Sequence, residues 1–280
     1  IDLHLPGGLI RQYSLCNPPG DAGVYRIAVL RDPASRGGSH AVHDALTVGT
    51  ELSISAPRNH FELAPAAPHH LLLAGGIGIT PLWAMAEQLS RQGASFTLHH
   101  CTRSSERTPF VDTLAATIYA GRVQHHFDDG DAAQKLDIAA ALAQSPAGTH
   151  LYVCGPQGFM DAVLSAGRAA GWPEERLHRE YFAAAPVEHT NDGRFELELA
   201  SSGRVITVQP DQTALAALLA AGLDIPMSCE QGVCGTCLTG VKAGTPDHRD
   251  QYLTDEERAA NDQFLPCCSR AHSARLVLDL

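Results

Sequence analysis

The residues that most invite chemistry are three cysteines at C-x4-C-x2-C spacing, Cys229, Cys234 and Cys237, answered by Cys267 after a gap of 29 residues. That spacing matches the plant-type arrangement in which four thiolates hold a 2Fe–2S cluster. Gly232 and Gly235 stand between the cysteines, where a Cβ would hinder backbone N–H groups from turning toward sulfur. A disulfide pair and a zinc knuckle use the same residue type. The first is disfavoured in a chain with no sign of secretion. The second usually shows two paired halves, and here the second half is a lone thiol. Cys267 and Cys268 are neighbours, and adjacent residues of an extended segment face opposite ways, so only one can be a ligand. Cys267 keeps the 29-residue gap and is assigned the role; Cys268 is expected to be a small buried apolar residue.

Two further groups of residues suit phosphate. Arg11-Gln12-Tyr13-Ser14 offers a cation and a hydroxyl for an anion, and an aromatic ring for a planar ligand. Arg36-Gly37-Gly38-Ser39 leads into a helix expected from about His40 to Leu46, and free N–H groups at a helix start favour negative charge. Together they point to a flavin mononucleotide site, although such elements also serve other phosphates. A third group is Gly75-Gly76-Ile77-Gly78-Ile79-Thr80-Pro81, between a buried strand and a helix with Thr80 expected as its N-cap and Pro81 at its first position. It reads G-x-G-x-x-P rather than the usual dinucleotide fingerprint; glycine there suits either a pyrophosphate or a tight turn. Cys154-Gly155-Pro156 ends another buried strand at the carboxyl edge, where ligands bind in such sheets, and Cys154 is equally readable as a core cysteine.

The elements that must position these residues change character along the chain. Alternating patterns at residues 1–5, 9–15, 24–30 and 51–55 read as short antiparallel strands. Four strands do not close a barrel, so further strands are expected ahead of Ile1. After Pro68, strands near 70–74, 95–101, 123–127, 150–154 and 177–182 alternate with helices near 81–89, 109–119, 136–144 and 158–170. A linker is expected around Pro186 to Gly193, then strands near 195–199 and 205–208 and a helix over 213–221. At 280 residues there is room for two or three domains, and the net charge of −11 argues against a nucleic-acid binder. No run of 18 apolar residues spans a membrane and no secretory leader is present, so a cytoplasmic location with reduced cysteines is expected.

Taken in order, RQYSL, RGGS, GGIGITP, CGPQGFM, REYF and CEQGVCGTC resemble the phthalate dioxygenase reductase family, along the whole chain. The resemblance implies a multidomain α/β and β architecture. An antiparallel flavin-binding β-barrel is expected over 1–65 and a ferredoxin-reductase-like α/β nucleotide domain over 66–185. A linker over 186–193 then leads to a β-grasp plant-type ferredoxin domain over 194–280. It further implies that Arg11, Gln12, Tyr13 and Ser14 hold FMN, that Ala28, Val29 and Leu30 line its ring edge, and that Gly37, Gly38 and Ser39 take its phosphate. Thr80 is expected near flavin N5 and Phe182 against the flavin. Gly75, Gly76, Gly78, Pro81, Cys154, Gly155 and Pro156 would shape the nicotinamide site, with Thr80, Cys154 and Phe182 nearest the chemistry.

The implied activity passes electrons from NADH through FMN to the cluster, and onward to a separate Rieske-type aromatic oxygenase or O-demethylase. NADH gives two electrons together and the cluster accepts one at a time, so a flavin is needed between them. Plant-type clusters lie near roughly −400 mV, tuned by hydrogen bonds and exposure at the sulfurs. Arg103 and Arg107 are offset by Glu106, Asp128, Asp129 and Asp131 where a 2′-phosphate would sit, so NADH is expected over NADPH. From Arg194 onward 12 acidic residues outnumber 7 basic ones, which suits an acidic docking face or plain solubility. A monomer that binds neither nucleic acid nor membrane is expected. The alternatives are a stand-alone flavin and iron–sulfur dehydrogenase, or a ferredoxin-like electron carrier with regulatory first domains.

Overall fold

The computed structural model describes residues 1–21, 23–35, 37–182 and 192–280. Arg36 and most of the expected linker, residues 186–191, lie outside them. The chain divides into two compact units, one of Ile1–Leu9 with Tyr13–Glu180, the other of Ile10–Gln12 with Tyr181–Leu280.

The amino-terminal region is sparser in strands than its alternation suggests. β1 (Asp2–Leu5) and β2 (Leu9–Gln12) form a two-stranded ribbon. The expected strands 24–30 and 51–55 are reduced to single bridges, Leu15 with Ile27 and Leu3 with Ile54. Val24, Leu30 and Ile54 are exposed, so the alternation there has no buried face to stabilise longer pairing. α1 (Gly38–Ala45) starts earlier than expected, because Gly37 takes a left-handed φ of 89° as its N-cap.

From there strands and helices alternate: β3 (His70–Gly75), α2 (Ile79–Arg91), β4 (Phe96–Thr102), α3 (Val111–Ala115), β5 (Val123–Phe127), α4 (Ile138–Gln144), β6 (His150–Cys154), α5 (Gln157–Ala169) and β7 (Leu177–Glu180). The five strands are parallel in the order β5-β4-β3-β6-β7. All six residues of β3 are buried, as a central strand covered on both faces requires. α2 lays Ile79, Leu82, Trp83, Met85, Ala86 and Leu89 into the core with Leu72, Ala74 and Leu98. Each fully buried leucine there is worth about 1.5–3 kcal/mol. Because β3 is flanked by β4 and β6, the strand order reverses beside it, which opens a crevice at the carboxyl ends.

The second unit begins with the antiparallel hairpin β8 (Phe195–Leu199) and β9 (Val205–Val208). Thr213 caps α6 (Ala214–Ala220) by accepting the Ala216 N–H at 3.1 Å. Residues 221–238 have no regular structure, and then come β10 (Thr239–Ala243), β11 (Pro246–Asp247), α7 (Asp255–Ala260), β12 (Gln263–Phe264), β13 (Arg270–Ala271) and β14 (Arg275–Leu278). The sheet order is β12-β10-β14-β8-β9, with β14 parallel to β8 and the other pairs antiparallel. Inward residues of β8, β9 and β14 enclose Leu215 and Leu218 of α6, and Cys237 and Cys267 belong to the same core. Among the described residues no helix is long and apolar enough to cross a membrane.

Candidate functional site

The stretch from Cys229 to Cys237 is held by local turns rather than by a helix or strand. It turns through left-handed φ at Glu230 (55°), Gly232 (71°) and Gly235 (71°). The sequence explains the glycines by turning freedom; the structure adds close packing. A Cβ on Gly232 would overlap Cys268 Sγ and lie 3.0 Å from Asp250 Cα, and one on Gly235 would run into the Tyr252 ring.

This loop brings the four expected ligands together. The Cys229 side chain lies beside those of Cys234 and Cys267, and the Cys237 side chain beside that of Cys267. Cys229 also accepts the Gln231 N–H at 3.3 Å, and the Cys234 thiol donates to Thr236 Oγ1 at 3.2 Å. Cys229, Cys237 and Cys267 are buried and Cys234 is half-buried. The close sulfurs split their proton affinities: Cys234 and then Cys267 hold Cys229 well below the ordinary thiol range and Cys267 lowers Cys237, while Cys234 and Cys267 are themselves raised. Thiolate is the form that binds metal. An all-sulfur set supplied by one glycine-turned loop and one distant cysteine, with an amide already aimed at sulfur, fits a 2Fe–2S cluster. Cys268 lies beside Cys267 and over Gly232, with its Sγ 3.7 Å from the Leu265 carbonyl, and it is half-buried rather than buried as expected.

At the sheet crevice the glycines again act by close approach. A Cβ on Gly78 would collide with the Cys154 carbonyl, and one on Gly75 would lie 2.8 Å from Pro156 Cδ and 2.9 Å from Phe159 Cδ1. A Cβ on Gly155 would in turn lie 2.8 Å from Gly75 Cα. The loops after β3 and β6 therefore meet backbone against backbone. Gly76 alone faces open space, at a φ of 54°. Neither Gly78 nor Pro156, the N-cap residues of α2 and α5, makes a side-chain cap. Thr80 is not the N-cap expected from the sequence. The tight turn Gly76–Gly78 starts the helix at Ile79, which places Thr80 and Pro81 inside the first turn, buried, with the Thr80 hydroxyl donating to the Ile77 carbonyl at 3.1 Å.

Cys154 is buried and its thiol is pushed well up, first by burial and then by Glu180, its register partner on β7. Glu180, which sequence reasoning does not single out, lies at the carboxyl end of β7 beside Cys154 and Ser14. Burial raises its carboxyl above the ordinary range, and the Ser14 hydroxyl donates to it at 2.9 Å. The one signal in the sequence is an acid closing a strand, as REYF does.

Other expected flavin residues have local partners. Arg11 donates to the Ile10 carbonyl at 2.8 Å, and Tyr13 pairs through its backbone with Ile1 at 3.0 Å. Gln12 is half-buried, and Arg11 and Gln12 fall in the second unit. Ala28 is partly buried against the first core, the Val29 carbonyl accepts from His43 Nε2 at 2.8 Å, and Leu30 is exposed. Gly38 is buried, and Ser39 Oγ accepts the Asp32 N–H at 3.1 Å. The N-terminus of α1 has no side-chain cap, which suits a phosphate. Phe182 is exposed and lies in the second unit.

Comparison with known proteins places these features in a family. Residues 197–272 match the 2Fe-2S iron-sulfur cluster binding domain, and residues 53–177 match the N-terminal domain of the dimethylamine monooxygenase subunit DmmA-like proteins. A vanillate O-demethylase oxidoreductase of Pseudomonas sp. (strain HR199 / DSM 7063) is 57% identical over 280 residues, covering 100% of this chain and 88% of its own. The structure of phthalate dioxygenase reductase, described as modular for electron transfer from pyridine nucleotides to its 2Fe–2S centre, is 39% identical with a TM-score of 0.73, covering 100% of this chain and 86% of that one. An intact type IV self-sufficient cytochrome P450 monooxygenase is 40% identical with a TM-score of 0.85, covering 100% of this chain and 36% of that one. The thiol loop, the parallel sheet and these likenesses along the whole chain agree: the chain belongs to the phthalate dioxygenase reductase family and is an iron–sulfur oxidoreductase.

Proposed function

We propose that the chain is the reductase component of a two-component Rieske-type aromatic oxygenase or O-demethylase, carrying electrons from NADH by way of FMN and a 2Fe–2S cluster to a separate oxygenase. The observation that carries this reading is the convergence of Cys229, Cys234, Cys237 and Cys267 in a chain that also holds a glycine-lined crevice in a parallel sheet. FMN and the cluster, when bound, supply the exchange between a two-electron donor and one-electron carriers.

The reading assigns an antiparallel FMN barrel to 1–65, the NADH domain to 66–185, a linker to 186–193 and a β-grasp ferredoxin domain to 194–280. Arg11, Gln12, Tyr13, Ser14, Ala28, Val29, Leu30, Gly37, Gly38, Ser39, Thr80 and Phe182 belong to the flavin site. Gly75, Gly76, Gly78, Pro81, Cys154, Gly155 and Pro156 shape the nicotinamide site, with the uncapped starts of α2 and α5 favouring phosphate. Glu180 and Ser14 form a pair able to hold a proton at the strand ends, because burial keeps the Glu180 carboxyl above its ordinary range. The Asp129 N–H donates to the Arg103 carbonyl at 3.2 Å, so the acidic turn lies beside the loop after β4, which supports NADH over NADPH.

The test is anaerobic titration of the reconstituted full-length protein with NADH, followed by visible absorbance and EPR. A rhombic reduced-cluster signal that forms at catalytic rates and is discharged by an oxygenase component is the expected result. Oxidation of a small aromatic compound by the isolated chain, or a cluster that NADH never reduces, would overturn it.

A further inference from the structure

We infer that Asp250 is a positioning residue for the cluster loop: its buried carboxylate builds the turn at 250–253, and that turn fixes Gly232 and Gly235 where the four thiols converge. The inference rests on the reading of those thiols as cluster ligands. The Asp250 side chain is fully buried, although no ligand role falls to it. Its Oδ2 accepts the Tyr252 N–H at 3.1 Å and the Leu253 N–H at 2.8 Å. Arg258 reaches back from α7, donating to the Asp250 main-chain carbonyl at 2.6 Å and lying 3.8 Å from Oδ2. The other oxygen faces buried His248 Nδ1 at 3.7 Å, and neither atom has a hydrogen-bond partner.

The turn built this way touches the cluster loop at three places. The Gln251 N–H donates to the Gly232 carbonyl at 2.9 Å. A Cβ on Gly232 would lie 3.0 Å from Asp250 Cα and 3.1 Å from its Cβ, and Gly235 sits directly beneath the Tyr252 ring. Both glycines between the ligands are therefore pressed against one four-residue turn. A buried carboxylate one contact away from a loop of thiolates is electrostatically unfavourable, and burial without compensation would not persist. The two amides and the guanidinium compensate it, and together they set the geometry of the turn. Without that acceptor the buried Leu253 amide and the part-buried Tyr252 amide lose their partner, the turn relaxes, and Gly232 and Gly235 lose their backing.

The experiment uses the full chain with its cluster reconstituted, as wild type and as Asp250→Ala, Asp250→Glu, Asp250→Asn and Asp255→Ala. It reads the g-values of the dithionite-reduced cluster and its bleaching rate in an iron chelator. Asp250→Ala is expected to bleach about tenfold faster or more and to shift the g-values, and Asp250→Glu, whose carboxylate is displaced by one methylene, to shift them as well. Asp250→Asn keeps a side-chain oxygen for the two amides and should lie closer to wild type. Asp255→Ala, on the exposed outer side of Arg258, should match it. Wild-type g-values and bleaching in Asp250→Ala, or in Asp250→Glu should the alanine variant not fold, would overturn the inference alone. A wild-type chain that takes up no iron and sulfide would overturn it together with the ligand assignment.

Discussion

At the scale of single residues, Cys267 and Cys268 are chemically identical neighbours in different surroundings. Cys267 is buried beside Cys229 and Cys237, whereas Cys268 is half-buried, lies against Cys267 and Gly232 and reaches toward Leu265. Cys267→Ser should therefore abolish the rhombic EPR signal of the reduced cluster, and Cys268→Ser should largely keep it. The reverse outcome would show that the ligand register is off by one. The 29-residue gap that favours Cys267 is a sequence property, whereas the extended segment expected at the cysteine pair is a turn over residues 266–268, with the Cys268 and Ser269 N–H groups both donating to the Leu265 carbonyl. Glu180 was not legible, since an acid on a short strand reads as exposed until the partner strand and Ser14 are placed around it. Gly75 and Gly78 were legible as special, but the reason was not: their nearest neighbours are Pro156, Phe159 and the Cys154 carbonyl, from a loop nearly 80 residues away in sequence.

At the scale of elements, the parallel sheet carries its histidines in pairs across adjacent strands. His99 Nδ1 and His126 Nε2 are 2.9 Å apart between β4 and β5, and His150 Nδ1 and His178 Nε2 are 2.8 Å apart between β6 and β7. Each bond uses one N–H and one bare nitrogen, so a proton on that bare nitrogen would break it and set a cation against its partner's N–H. Burial, reinforced by the neighbouring histidines, pushes His70, His99 and His178 down to about 4, and burial does the same to His100. These groups are neutral in the folded sheet and take protons more readily once unfolded, where the pKa is about 6.5. Their contribution to stability is thus complete above about pH 6.5 and is lost as pH falls toward 4. The linkage is worth about 1.4 kcal/mol for each tenfold difference in proton affinity between the folded and unfolded states, and less where solvent screens the ring. Thermal unfolding of the first unit should fall steeply across that window, and His99→Gln with His126→Gln should flatten the fall. An unchanged slope in the double variant would remove the pair from the account. The βα alternation that builds this sheet was readable from periodicity. Which histidines meet was not, because strand order is decided by tertiary packing. The same limit explains the start of α2: a Thr-Pro pair looks like a cap, yet Gly76–Gly78 had already turned the chain into the helix.

At the scale of the molecule, the two units have separate hydrophobic cores, and the proposed electron route needs a flavin between their functions. A charge-assisted contact from Arg11 to a phosphate is worth about 1.5–3 kcal/mol, so Arg11→Ala should weaken FMN retention roughly tenfold to a hundredfold. The flavin-depleted variant should still bind NADH and leave the cluster oxidised in stopped flow. Dithionite should still bleach the cluster, and added FMN should restore the NADH-driven reaction. Fast cluster reduction by NADH with no detectable flavin would exclude the route. The two-unit division falls near residue 180, close to where βα alternation gives way to the cysteine-loop region, whereas the change from strand alternation to βα alternation near residue 66 marks no division; the first 65 residues were the least legible, because their exposed apolar residues mimic a buried strand face.

The sheet order of the second unit bears on the protein's synthesis. β14 lies between β10 and β8, so the inner edge of the β8–β9 hairpin waits unpaired until residues 275–278 have left the ribosome. Cys229, Cys234 and Cys237 emerge well before Cys267, exposed as free thiols in a half-built sheet, while the parallel sheet of the first unit can already close. Such long-range pairing is slow. The four thiols can therefore meet only after Cys267 has emerged, and cells short of iron during expression should accumulate chains whose first unit is folded while the cysteine loop is open to oxidation.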